Sequence, residues 1–386
     1  MSNNKPVFFA WRNPEVSRQF RTGVSLHSHT MHSQESLSFI PLYADRVPIL
    51  GAELRRLAKR HEERYGRAPD YSRGYWTPPL PEREAYQLEK GSIEKQLDLA
   101  ALVSLTDHDN IEAGLLLRQS AATATAPLSI EWTVPVQGTY FHVGVHNLPP
   151  EEAPSLVAAM VECTRQPAVA LRNQILEAVT RHRQTLVVLN HPLWDQPHCG
   201  GKNHSASLQA LLAESGRWFH ALELNGLRPW TENQEVMRWA VDGGYPVVSG
   251  GDRHGCEPAA VINLTNATCF SAFASELRDG HSVVSFLNHY REPRGFRLLK
   301  SVSDIMGMYP HLPSRERWSD RVFCHRYRGD IVPLSKLWSD ETRAAGPCPL
   351  VVRMFERISG LTQCKWSRRC LRLCFGGARL TLRDSC

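Results

Sequence analysis

VSLHSHT, residues 24–30, is a short apolar run that ends in two histidines one residue apart. Alternation along a strand puts residues i and i+2 on one face, so His27 and His29 are expected to aim both imidazoles at one site. Two neutral imidazoles on one side are a natural start for a metal centre. Alone the pair is a weak signal, because surface and core pairs of this kind are common. The pattern recurs, however. SLTDHD, residues 104–109, closes a second apolar run with Asp107, His108 and Asp109. Titratable groups at the end of a buried strand belong on the catalytic face of a barrel, and Asp109 also suits the cap of a helix beginning near Ile111.

Seven such runs, rich in Val, Leu and Ile, read as strands covered on both faces: Val24–His29, Ala101–Thr106, Leu128–Thr133, Phe141–Val145, Thr185–Asn190, Phe219–Leu224 and Pro246–Ser249. Helical patterns lie between several of them. Residues 168–183 repeat Leu171, Ile175, Ala178 and Val179; 207–214 ends at Gly216; 232–242 ends at Gly243–Gly244, both plausible cap glycines. This alternation predicts a parallel α/β fold, open or barrel-shaped. Every run carries a His, Asp or Glu within it or just past it. Glu131 sits between Ile130 and Trp132, where a lone carboxylate is costly to bury. His142, His191, Glu223, Asn225, Asp252, Arg253 and His254 follow on the later runs. Each has an ordinary reading as a satisfied core histidine, a cap or an ion pair. Together they describe one mouth.

Two stretches break the alternation. Residues 45–95 hold a charged helix near 51–64, a turn-rich piece with Tyr75 and Trp76, and a polar helix over 82–97. They are expected to form an inserted lid, its aromatics serving either as a wall of the site or as packing anchors. From residue 291 the chain is basic and irregular, with 19 Lys+Arg against 9 Asp+Glu, while the rest is net acidic by four. That balance argues against a nucleic-acid-binding body but leaves the tail free to meet phosphates or an acidic partner. Residues 364–386 contain six Lys/Arg, one acid and four cysteines without paired short hooks, which predicts a mobile basic appendage rather than a zinc knuckle.

The 386 residues suffice for one large domain or two smaller ones, and 42% hydrophobic with 22% charged residues excludes wholesale disorder. No apolar run is long enough to span a membrane, and Val7–Trp11 is too short for a signal peptide, so the expected compartment is the cytoplasm. The ten scattered cysteines read as reduced thiols.

The segments LHSHT, SLTDHD, IEWT, HVGV, NHP, ELN and GGDRHG occur in the order of the polymerase-and-histidinol-phosphatase (PHP) family, which residues 22–290 resemble. The stretch 261–286 resembles that family's closing helix and turn. The resemblance implies a distorted (βα)₇ TIM-like barrel over 22–290, with the 45–95 insertion after the first strand, a 1–21 extension before it and the 291–386 tail after it. It implies two or three ions of Zn, Mn or Fe: one held by His27, His29, Glu131 and Asp252, a second by Glu131, His142 and His191, a third by Glu35, His108 and His254. Mixed imidazole and carboxylate sets suit those metals. The implied activity is hydrolysis of a phosphate ester by a metal-bound hydroxide, on a small phosphorylated substrate, nucleotides and oligonucleotide ends included. Asp107 or His254 is the expected proton donor.

Three departures stand out. Ser25 replaces the family's usual Asp, Ser33-Gln34-Glu35 replaces Ser-Asp-Gly, and Arg253 replaces a small residue. Arg253 is a candidate for bidentate binding of substrate phosphate or, equally, a partner for a nearby acid. Two other readings stay open: a hydrolase of an amide or lactone, and a degenerate barrel that binds without catalysis.

Overall fold

Along Leu186–Asn190, Val187 and Leu189 pack into one apolar cluster, whereas Leu186 and Val188 pack into another. A strand buried on both faces cannot alternate apolar with polar, which is why this run is continuously hydrophobic. The computed structural model describes residues 7–44, 48–325 and 330–337, together with Arg357. Its fold is mixed α/β. All seven expected strands are present, as Thr22–Ser25, Ala100–Val103, Ile130–Val136, Thr139–His146, Leu186–Asn190, Ala221–Asn225 and Val247–Gly250.

They fall in two sheets. Six strands run in the order Val247–Gly250, Ala221–Asn225, Leu186–Asn190, Thr139–His146, Ile130–Val136 and the short Asp107–His108. Five more run Val7–Phe9, Val284–Phe286, Val261–Thr265, Thr22–Ser25 and Ala100–Val103. The sheets are tied at two seams. At one, the chain crosses from Val103 to Asp107, with Ser104 N donating to Ser25 O (2.9 Å) and Thr106 N to Ser28 O (2.9 Å). At the other, Gly251 N donates to Leu26 O (3.0 Å), Asp252 N to His27 O (2.7 Å), and Ser28 bridges Arg253.

Among the seven expected strands, strict strand–helix alternation fails at one place. Thr139–His146 runs antiparallel to both neighbours. It follows Ile130–Val136 through Gln137–Gly138, whose φ of 48° and 83° are the left-handed pair of a two-residue hairpin turn. A turn that short leaves no room for a helix. The helices expected around 168–183, 207–214 and 232–242 are Val169–Thr180, Gly201–Ser215 and Trp230–Gly243. Gly244 ends the last with φ 71°, as a left-handed cap requires. Gly216 does not play that part: its φ is −58°, and the chain tightens into a 3₁₀ turn over Gly216–Trp218.

The insertion and the tail differ from expectation. The helix Glu82–Leu97 is no lid. It packs on the strands Thr22–Ser25 and Ala100–Val103, burying Ala85, Glu89 and Ile93, and is the crossover between them. Gly74–Trp76 pairs with Glu35–Ser36 on one side and Val322–His325 on the other, and Ile331–Pro333 completes this third sheet. The described part of the tail is therefore ordered. It begins with the helix Arg294–Ile305 and is gathered by buried Arg321, which donates to the carbonyls of Ile305, Gly307, Arg315 and Glu316. Residues 364–386 lie outside the described residues.

Candidate metal centre

The strand carrying the first two histidines ends at Ser25, before either of them. Simple alternation therefore does not bring them together. His27 has φ 61°, and this left-handed residue turns the chain so that His27 Nε2 and His29 Nε2 lie 3.2 Å apart. His191 (φ 26°) and Asp252 (φ 48°) are left-handed too. Non-glycine residues adopt this region at a cost, and such positions collect at functional sites.

The structure brings all nine sequence-predicted ligands together. Glu131 is fully buried and lies at the centre. Its Oε1 is 3.0 Å from His27 Nε2, 3.2 Å from His191 Nε2 and 3.5 Å from His142 Nδ1. Its Oε2 is 3.2 Å from His29 Nε2 and 3.4 Å from His108 Nδ1. Asp252 Oδ1 lies 3.7 Å from both His27 Nε2 and His29 Nε2. Glu35 lies 3.2 Å from His108 Nε2 and 3.2 Å from His254 Nε2. Their donor atoms fall into overlapping sets: His29/Glu35/His108/His254, His27/His29/Asp252, His27/Glu131/His191 and His108/Glu131/His142. His29 thus stands nearer the Glu35 set than the sequence grouping implied.

Tautomers follow from the outer hydrogen bonds. His27 Nδ1 donates to Glu223 Oε2 at 2.6 Å. His29 Nδ1 donates to Ser33 Oγ (3.2 Å), whose own proton goes to Glu35 Oε1 (2.7 Å). His254 Nδ1 donates to the Asp252 carbonyl at 3.0 Å. Each of these rings is left with an Nε2 lone pair facing carboxylate oxygen. Glu131 Oε2 is itself buried without a hydrogen bond. Lone pairs confronting one another in a buried site repel unless a cation lies between them, so the residues fit bound metal. With no ion, protons must serve instead. Burial opposes charge on His27, yet Glu131 and Glu223 hold its pKa well above the ordinary imidazole value. Burial is likewise overcome at His108, where Glu35 and Glu131 push the pKa up to about 10. The surrounding imidazoles, His27 foremost, keep Glu131 well below the usual carboxylate range against the cost of burial.

The residues expected to contact substrate or move protons are placed less favourably. Arg253 is buried, with Nε on Glu89 (2.8 Å), Nη1 on the Gly255 carbonyl (2.8 Å) and Nη2 on the His29 carbonyl (2.9 Å). Its guanidinium serves the loop backbone and its acid partner rather than the mouth. Asp107 is buried with both oxygens taken by Thr30, from the backbone N–H (2.6 Å) and the hydroxyl (2.7 Å). It pins the loop after His29, and burial raises its pKa. Asp109 accepts from Thr133 N (2.8 Å) and does not cap the following helix, whose N-cap is Ile111 with no side-chain cap; Asn110, one residue earlier, accepts from Glu112 N (3.1 Å). His254 remains near the surface, with Trp76 5.7 Å away between ring centroids. Tyr75 instead stacks on Phe323 and anchors the third sheet.

Sequence reasoning missed two supporting carboxylates. In the sequence Glu223 reads only as a strand-end acid, and nothing local ties it to His27. Glu89, in the supposed lid, accepts from Ser25 Oγ (3.0 Å), Ser28 Oγ (3.2 Å), Arg253 Nε (2.8 Å) and Ala259 N (3.0 Å). Ser25 thus reaches a carboxylate supplied by another element.

No protein-family model matches the chain, and no curated protein matches it. Among solved structures it is similar to a proposed metal-dependent phosphoesterase from Bifidobacterium adolescentis, at 15% identity and TM-score 0.33, over 52% of this chain and 92% of that one. PsfC from Pseudomonas syringae gives 15% and 0.36, over 54% and 85%. An amidohydrolase from Chromobacterium violaceum, with bound sulfate and no metal, gives 14% and 0.31, over 50% and 89%. Likeness at this level carries no argument about what this chain does. Among the described residues, no helix is long and apolar enough to cross a membrane.

Proposed function

We propose that this chain is a metal-dependent hydrolase of phosphate esters, with its seven central strands arranged as a distorted barrel of the PHP type. The observation that carries the reading is Glu131: one buried carboxylate with five imidazoles within 3.5 Å. His27, His29, Glu131 and Asp252 would hold one ion, His142 and His191 a second shared through Glu131, and Glu35, His108 and His254 a third. Bound Zn, Mn or Fe supplies Lewis acidity, acidifying water and neutralising charge on phosphoryl oxygens.

The chain's own groups supply order. Glu223, Ser33 and the Asp252 carbonyl fix the His27, His29 and His254 tautomers, so the site meets its ligands already aligned. His27, His29 and Glu131 form a dry floor, while His108 and His254 are the more exposed and are met first by a ligand entering from solvent. A cavity adjoining His254 is lined by His289, Arg297 and Lys300 among others. Arg297 lines that cavity with Nη1 donating to the Gly226 carbonyl and its guanidinium over the Tyr290 ring (4.6 Å), and its charge favours an anionic substrate over a neutral amide or lactone. Both arginines line this cavity, but Arg253 commits all three guanidinium nitrogens to Glu89 and two carbonyls, so the substrate contact is assigned to Arg297.

The test is a panel of phosphomonoesters, phosphodiesters, amides and lactones with added Mn²⁺, Zn²⁺ or Fe²⁺, run beside elemental analysis. Phosphate-ester turnover that is inhibited by inorganic phosphate and abolished in Glu131→Gln, with metal lost, is expected. Full metal and full activity in Glu131→Gln would defeat the site assignment. Turnover confined to amides or lactones would defeat the substrate class, and a metal-free native protein would favour the binding-only barrel.

A further inference from the structure

The loop that follows His191 carries donors that the main centre does not use. Asp195, Cys199 and His204 each present a ligand atom, and these atoms lie within 4.8 Å of one another. None belongs to the nine residues around Glu131. His204 sits in the first turn of the helix Gly201–Ser215 and is 4% exposed. Its Nε2 is 2.9 Å from the Pro192 carbonyl, an acceptor only, so Nε2 carries the proton. Nδ1 is then an unprotonated lone pair. It is buried and has no hydrogen-bond partner. A ring N–H held by a backbone carbonyl, with the other nitrogen left bare, is how proteins orient a ligating histidine.

Asp195 is fixed as well. Its Oδ1 accepts from Cys199 N (2.9 Å) and its Oδ2 from Gly200 N (2.8 Å), which draws the carboxylate against the cysteine. Each oxygen keeps a lone pair. We propose that Asp195, Cys199 and His204 form a separate mononuclear zinc site, with water in the fourth position. Thiolate, imidazole and carboxylate are the three protein donor types of zinc, and the thiolate disfavours Mg²⁺ and Ca²⁺. Binding releases the thiol proton to solvent. The ion joins the loop to the helix N-terminus. The same loop holds His191 and Trp194, whose rings are 5.0 Å apart between centroids, so it steadies the approach to the main centre without taking part in it.

The main centre contains no sulfur, and this separates the two sites spectroscopically. Full-length protein is stripped of metal and titrated with Co²⁺. The native chain should show a near-ultraviolet thiolate-to-cobalt charge-transfer band, and zinc-loaded protein should contain one more ion than Cys199→Ser. In Cys199→Ser the band from this site is lost while the remaining metal and the visible cobalt bands persist. Cys199 is partly exposed, so the serine variant is expected to fold. His204→Gln, whose amide N–H can still reach the Pro192 carbonyl, provides a second reading and should lose the same ion. An unchanged band and unchanged stoichiometry in both variants would overturn the proposal. So would a native protein with no thiolate band.

Discussion

His27 Nδ1 lies 2.6 Å from Glu223 Oε2, across 196 residues of sequence. Glu223 in turn is steadied by Asn225 Nδ2 (2.6 Å), and Gly250 leaves the space it fills: a Cβ at Gly250 would overlap the Glu223 carboxylate. Glu223→Gln should weaken metal binding about 10- to 100-fold, the usual loss when a partner of a ligating histidine is removed. Gly250→Ala should do the same by displacing the acid. Chelator competition measures both. Unchanged affinity in the two variants would show that the His27 tautomer is fixed some other way.

Arg253 gives a sharp contrast between structural and substrate roles. It forms a buried ion pair with Glu89 while bracing two loop carbonyls. Breaking such a pair from one side costs about 3–5 kcal/mol. Arg253→Met should therefore lower the denaturation midpoint strongly. A variant of full stability with a raised KM would return Arg253 to the substrate.

Arg297 is where the substrate contact is expected. Its removal forfeits a charge-assisted hydrogen bond, about 1.5–3 kcal/mol. Arg297→Gln should raise KM for phosphate esters roughly 10- to 100-fold with a smaller change in kcat. An unaltered KM would leave the anionic preference without a source.

The insertion divides into parts that differ in importance. The described side chains of the helix Pro48–Tyr65 are mostly exposed, whereas Trp76 pairs with Glu35 and Glu89 holds the loop that carries His29. Replacing 48–65 with a short linker should leave metal content and midpoint nearly unchanged. Replacing 52–90 should abolish metal binding. If the larger replacement kept its metal, Glu89 would have no structural role.

His220 predicts an acid-sensitive step. Burial lowers its pKa to about 3, and its Nδ1 accepts from Val187 N at 2.9 Å, a bond that protonation would end. Above the ordinary imidazole value of 6.5 the ring is neutral whether folded or unfolded, and its effect on stability is flat. As pH falls from 6.5 toward 3 only the unfolded chain takes up this proton, so stability declines by up to about 1.4 kcal/mol per pH unit. Urea titrations across that range should show a shallower decline in His220→Gln, by nearly one proton. Equal slopes would mean that His220 titrates normally.

The strands were legible because burial on both faces writes itself into the chain as continuous apolar runs, and the ligands because they stand at the ends of those runs. Leu186–Asn190 followed by His191 is the plainest case. Only the folded chain could decide the rest. Which strand lies beside which determines that Glu223 meets His27, and that Glu89, from a helix that reads as part of a lid, holds Ser25 and Arg253. The left-handed turns at His27 and Asp252 are joined by a hydrogen bond between distant loops, Asp252 N to His27 O. Donor types are a property of residues, which a sequence lists. Tautomer, partner and direction are properties of neighbours, which only tertiary packing assigns.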